Sequence, residues 1–298
     1  MQLIQNTITG ASLKMGYRFQ KYWDTPMAAA FFCGETGGGL FFVSMLLDFI
    51  PGMIIGLLFT CLGKTYFHLA HMGVPAKSWR ALLRPDRAWI SRGLIGIAFF
   101  AGFGGALVLD SWLTILSPGL HLTLQILAGL AALVVMTYQG FAMAHSSAFA
   151  LWSTGMMPMA SFIYAALVGA SLTLALGALG GLDAGALALA RNAQALLVLA
   201  ALVIVLSLLH GARFGSRGGR FSADLLLKGA YAKPFFGLVI GVGLIIPGLL
   251  AALTPDTMVI SIFAAGCVLV GFFAFRLLMF RAAVYEPIMN ITDGLLRG

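Results

Sequence analysis

A few residues of this 298-residue chain have side chains able to move protons or hold a polar ligand, and they sit in or beside long apolar runs. Glu35 lies in FFCGETGGGLFF and Lys64 in LFTCLGKTYFHLAH. Ionisable groups at such positions are costly, so they are paired or functional. Counted inward from the same end of the apolar runs, Glu35 lies roughly 13 Å deep and Lys64 roughly 10 Å at about 1.5 Å per residue. The matching depths predict a Glu35–Lys64 pair between neighbouring helices. Its role is either that of a structural ion pair, with the Lys64 stem reaching toward the interface, or that of a proton relay or the polar wall of a ligand pocket. His68 and His71, three apart, share one helical face. A neutral imidazole donates one hydrogen bond and accepts another, and it titrates near neutral pH. A bis-histidine haem would need a facing ligand from another helix, for which His145 and His210 are the candidates on the same side. A histidine lining a ligand pocket fits the spacing better. Tyr138 adds a phenol near that side; its plain alternative is an interfacial belt tyrosine.

The elements that carry these groups are apolar stretches at roughly 26–47, 50–70, 92–113, 119–143, 156–179, 188–210, 234–254 and 257–281. Each is continuous for about 20 residues, which suits a membrane-crossing helix and not a β-barrel strand. Composition agrees: 60% of residues are hydrophobic, 9% are charged and mean hydropathy is +0.98, against about 25% charged in soluble domains. A soluble enzyme, a disordered tail and a coiled coil are excluded. The expected fold class is all-α integral membrane, with eight transmembrane helices in a bundle and both termini on one side. The chain divides into an N-terminal interfacial segment (1–25), where a weakly amphipathic helix is expected, a transmembrane domain (26–281) and a C-terminal tail (282–298).

Cys33, Cys61 and Cys267 are too few and too scattered for a disulfide framework or zinc site. No HExxH, Walker A, GxSxG or CxxC pattern is present, and the GGGL and GVGLIIPG strings fall inside spans, where a nucleotide loop does not belong. The run Gly37, Gly38, Gly39 reads first as a place where helices approach closely, second as a bare wall for a flat ring. No internal repeat is evident.

Charge sorts sharply by side. Lys14, Arg18, Lys21, Lys77, Arg80, Arg84, Arg87, Arg92, Arg213, Arg217, Arg220, Lys228, Lys233, Arg281 and Arg297 fall on one face, fifteen of the 18 Lys and Arg residues. The other face has Asp48, Asp110, Asp183 and Asp256, with Arg191 its sole base. Basic loops stay cytoplasmic during insertion, so both termini should be cytoplasmic. The charge of +8 thus reports topology, and no basic, aromatic-studded domain exists to hold nucleic acid. A basic face also suits an acidic partner subunit.

Residues 71–93, HMGVPAKSWRALLRPDRAWISRG, resemble the connection between the second and third spans of the NrfD-like membrane-anchor family, which includes membrane subunits of polysulfide reductase and DMSO reductase. The shared pattern is His71-x-Gly73-x-Pro75, a basic and aromatic stretch, then Ser91 opening the next span. YQGFAMAHSSAFALW resembles the family's fourth-to-fifth span segment, through Tyr138, Gly140, Leu151 and Trp152, followed by Pro158 and Ser161. The glycine-rich first span also fits. The likeness covers roughly residues 26–175; the last three spans agree in number and hydropathy.

The resemblance implies a subunit of a bacterial inner-membrane complex used in anaerobic respiration. Its partners would be an iron–sulfur electron-transfer subunit and a molybdopterin catalytic subunit. Its ligand would be menaquinone or ubiquinone, with no haem or metal of its own. Tyr138 matches a tyrosine of the family's quinone pocket and His71 a histidine tied to quinol oxidation. The expected quinone-binding set is His71, Tyr138, Arg92 and Glu35, with Glu35 and Lys64 as proton-relay candidates. Arg80, Arg84 and Arg87 would hold acidic groups of the partner. The sequence departs from the family where Arg92 and Gly93 stand in place of a functional carboxylate, and where Pro26 to Ala29 replace polar residues. The rival readings are a secondary transporter or ion channel built on Glu35 and Lys64, and a b-type cytochrome.

Overall fold

The computed structural model describes residues 7–9, 14–254 and 257–286; Asp256, Arg297 and most of the C-terminal tail lie outside them. Among the described residues eight helices are long and apolar enough to cross a membrane: spans 1 to 8 are Thr25–Leu46, Ile50–His71, Trp89–Leu113, Pro118–Ala144, Met156–Leu179, Ala184–Gly215, Ala232–Leu253 and Met258–Arg281. The all-α, eight-span architecture expected from the sequence is the one observed. Side-chain caps set several starts, with Asp24, Asp183 and Thr257 each accepting a backbone N–H from the first turn. Span 6 runs 32 residues, well past the expected end at 210, so the 211–233 connection is largely helical. Ser216 caps a further surface helix, Arg217–Leu227, through the amide of Gly219.

The N-terminal segment is a correction. Where an interfacial helix was expected, strand β1 (Thr7–Thr9) pairs antiparallel with β2 (Lys14–Gly16). The Thr-Ile-Thr run favours extended backbone over helix. Beyond β2 the chain meets the other end of the protein: Phe19 bridges Val284, and Tyr285 N–H donates to the Arg18 carbonyl at 2.8 Å. The two ends of the described chain therefore share one face of the bundle.

Spans 1 and 5 form its axis. Of their most apolar windows 78% and 72% are buried, against 22–50% for the other six. Spans 2, 3 and 4 pack on one side of this pair and spans 6, 7 and 8 on the other, span 8 reaching span 1 directly. The three consecutive glycines make the axis possible. Neighbouring helical residues point about 100° apart, so each glycine faces a different helix. Gly37 meets Gly56 and Thr60 of span 2, Gly38 meets Val135 and Met136 of span 4, and Gly39 meets the Ala165 carbonyl of span 5. Close helix approach, not a ligand wall, is what this run does.

Spans 2 and 7 are not regular α-helices. Phe59–Lys64 and Phe235–Ile245 are π-helical, a widening often found at functional positions. Lys64 is the last residue of the first of these.

Candidate functional site

The buried polar groups meet where spans 1, 2, 4, 5 and 8 converge. The expected Glu35–Lys64 pair is not there. Glu35 is bound to Arg276 of span 8, whose Nε donates to Oε2 at 2.7 Å and Nη2 to Oε1 at 2.6 Å. Nη2 also donates to Ser161 Oγ at 2.6 Å, and Nη1 points at Met143 Sδ at 3.5 Å. Both charged side chains are 0% exposed. A planar guanidinium satisfies both carboxylate oxygens at once, which an ammonium does not do. Phe272 and Phe275, flanking Arg276 on its own helix, lie 5.5 and 5.6 Å from the guanidinium. The sequence signal for this pair was a lone cation in GCVLVGFFAFRLLMF. Depth along the helices alone gives Glu35 a different partner, Lys64, at the matching level.

Lys64 is also buried, but its companions are neutral. Nζ donates to Gln139 Oε1 at 2.8 Å and to the Ala30 carbonyl at 3.4 Å. It stands 5.3 Å from the Phe31 ring and 5.0 Å from the Tyr138 ring. Gln139 is held by donating its Nε2 to the Phe31 carbonyl at 3.1 Å. Gly34 fits between the lysine stem and the Gln139 amide, where a Cβ would collide with both. Lys64 forms no ion pair among the described residues. A buried ammonium held by carbonyl dipoles and ring faces, with no carboxylate in direct contact, is a costly arrangement. Gln139, next to Tyr138 in sequence, is the second residue of the buried polar cluster that sequence reasoning missed.

Tyr138 is not a belt residue. It is 4% exposed, its ring seated against the bare backbone of Gly93 in span 3. The departure from the family pattern at Gly93 is thus the space in which the tyrosine ring lies. Its hydroxyl makes no hydrogen bond among the described residues. Trp152 is likewise fully buried and donates Nε1–H to the Met279 carbonyl at 2.8 Å.

His71, the last residue of span 2, places Nδ1 2.9 Å from Asp24 Oδ1. Asp24 caps span 1 through the amide of Met27, so one carboxylate ties the two helix ends together. His68, one turn earlier, packs edge-on against Phe31 at 6.3 Å. His145 caps the end of span 4, and His210 lies beside Phe214. His71 and Tyr138 share no hydrogen bond; Lys64, two turns before His71, is the span 2 residue that reaches Tyr138. Arg92 is not at the Tyr138 ring either. It donates to the carbonyls of Pro85 and Asp86 at 2.8 and 3.0 Å and stacks over Trp89, closing the 84–92 turn. Arg80, Arg84 and Arg87 are exposed on the same connection.

The opposite face is built differently. Asp110 Oδ2 lies 2.6 Å from His121 Nδ1, while Oδ1 accepts the amides of Ile115 and Leu116. The carboxylate thereby caps the end of span 3, where Thr114 turns left-handed at φ 47°. Arg191 donates to the carbonyls of Leu250, Ala251 and Thr254 at the end of span 7, where a cation also suits the helix dipole. These groups serve helix ends.

An eight-span bundle whose membrane-depth charges are turned inward defines a polytopic helical membrane protein with an internal polar site. Within that class the chain matches the family model of the DMSO reductase anchor subunit (DmsC) over residues 49–274. It belongs to that family. The match runs across the last spans, beyond the stretch where the sequence motifs carried the likeness. No curated protein matches the chain.

Proposed function

We propose that the chain is the quinone-reactive anchor of a membrane-bound oxidoreductase of the NrfD-like group. It would hold an iron–sulfur subunit and a molybdopterin catalytic subunit on its basic face and exchange electrons with menaquinone or ubiquinone. Membership of an anchor-subunit family supports the assembly part of this reading. The observation that carries the quinone part is the cluster of Tyr138, Lys64 and Gln139, a polar group inside the bilayer that is not explained by charge pairing.

Quinol oxidation releases two electrons and two protons, and quinone reduction takes up the same. The residues of this chain divide that work by position. The free Tyr138 hydroxyl offers a hydrogen bond to a ring oxygen. Lys64 sets a positive potential behind the phenol, in a medium where a charge acts strongly, and Gln139 keeps the ammonium in place. Asp24 fixes His71 with Nδ1 toward the carboxylate, leaving Nε2 to take a proton and release it to water at the basic face. Arg80, Arg84 and Arg87 stand where acidic groups of the docked subunit would meet them. Glu35 does not join the relay, because Arg276 occupies both its oxygens. The transporter reading loses its coupling site for the same reason.

The test is turnover in the assembled complex. Tyr138→Phe and His71→Ala should each slow quinone-linked turnover about 2- to 10-fold, the loss of one hydrogen bond worth about 0.5–1.5 kcal/mol. Activity with an artificial dye that bypasses the membrane subunit should stay normal. Unchanged quinone kinetics in both variants, with the complex intact, would leave the anchor role and remove the site.

A further inference from the structure

A cavity of about 410 Å³ opens on the basic face between the start of span 1, the end of span 8 and the residues leading into span 7. Its polar lining includes Lys21, Arg281, Asp24 and Tyr231, and its apolar lining includes Trp23 and Leu277. The two cations are exposed and form no ion pair or side-chain hydrogen bond among the described residues. The one carboxylate of the lining and the one at the described end of the chain are both engaged. Asp24 holds His71 and the span 1 amide, and Glu286 accepts from Ser216 Oγ and the Gly218 amide. With Lys21 and Arg281 against the single carboxylate of Asp24, the cavity lining carries a net charge of +1.

Its depth narrows the class of ligand. Arg281 closes span 8 and Leu277 lies one turn further in, so the polar lip stands at the headgroup level and the apolar wall continues toward the hydrocarbon. Span 7, which borders it, is the least buried helix of the bundle, with Phe236 50% exposed. A ligand seated here would have an anionic head and an apolar body. Basic pockets between helix ends at the membrane surface suit anionic lipid headgroups.

We infer that this cavity is a binding site for the phosphodiester headgroup of an anionic phospholipid, held by Lys21 and Arg281, with Tyr231 beside it and acyl chains along spans 7 and 8. Lys21 and Arg281 supply N–H donors for both free phosphodiester oxygens, and with Asp24 counted the net +1 of the lining matches the single negative charge of that group. The lipid would join the N-terminal segment to spans 7 and 8; it shares Asp24 with the quinone reading but does not rest on it.

The experiment uses the full chain in its complex, purified in mild detergent, with bound lipid measured by native mass spectrometry. Wild type should retain about one phosphatidylglycerol or cardiolipin through delipidation and rebind it from mixed micelles in preference to phosphatidylcholine. Lys21→Gln with Arg281→Gln should weaken that retention about 30-fold, two surface cations being removed. Lys77→Gln with Lys228→Gln, on the same face but outside the cavity, should retain lipid as wild type does. Equal retention in the two double variants would overturn the proposal. So would displacement of the lipid by inorganic phosphate at millimolar concentration, which would make this a simple anion site. Wild-type thermal stability of the Lys21/Arg281 variant in detergent separates loss of lipid from loss of fold.

Discussion

Glu35 and Lys64 lie at similar depth on adjacent spans, yet one is paired and the other is not, and this difference sets opposite expectations for their removal. Breaking a buried pair leaves an uncompensated charge, at about 3–5 kcal/mol. Glu35→Gln or Arg276→Met alone should therefore lower the unfolding temperature in detergent and reduce assembly, while the double change recovers most of the loss. Lys64→Met removes a charge that has no anionic partner. It should leave stability unchanged or raised while quinone-linked turnover falls. Its coupling to Glu35→Gln should be weaker than that between Glu35→Gln and Arg276→Met, since Glu35 acts on Lys64 through space without a bond. A Lys64→Met variant as unstable as Arg276→Met would show that Lys64 is part of the ionic core.

The helices are placed by small residues more than by apolar ones. Because Gly39 faces the Ala165 carbonyl and Gly169 faces Gly39, the span 1–span 5 crossing admits no side chain on that line. Gly39→Ala should cost about 1–3 kcal/mol through overpacking, read as a lower unfolding temperature. Gly102 of span 3 has nothing within 4 Å of its Cβ position, so Gly102→Ala should be neutral or slightly stabilising through helix propensity. Gly93 tests the site instead of the frame. A methyl group there meets the Tyr138 ring, so Gly93→Ala should impair quinone-linked turnover more than assembly. Equal behaviour of the Gly39, Gly93 and Gly102 variants would contradict the packing described.

At the scale of the molecule, the described ends of the chain meet on the face that carries the basic connections, and that face is expected in the cytoplasm. With Cys33, Cys61 and Cys267 replaced, a Lys77→Cys variant should react with a membrane-impermeant thiol reagent only after the cells are broken. Rapid labelling in intact cells would invert the topology and move the docked subunits outside. The same face holds the His71–Asp24 contact, Arg80, Arg84 and Arg87, and the cavity between Lys21 and Arg281. Proton release, partner docking and lipid anchorage would then all occur on one side, while the acidic face is occupied with helix caps such as Asp110 and Asp183.

The eight spans, the basic and acidic faces and the family likeness at His71 and Tyr138 were legible in the sequence. Hydrophobic run length and charge placement are properties of the chain as written, and the bilayer reads them residue by residue. The pairing inside the bundle was not legible. Depth along a helix predicts which groups lie at one level, but not which way each faces or which helix stands opposite. Arg276 is 241 residues from Glu35, and only the packing of span 8 against span 1 brings the guanidinium fork to the carboxylate. That same packing left Lys64 to Gln139 and two aromatic rings. It also buried Tyr138 against Gly93, because span 3 offers a backbone without a side chain where the ring lies.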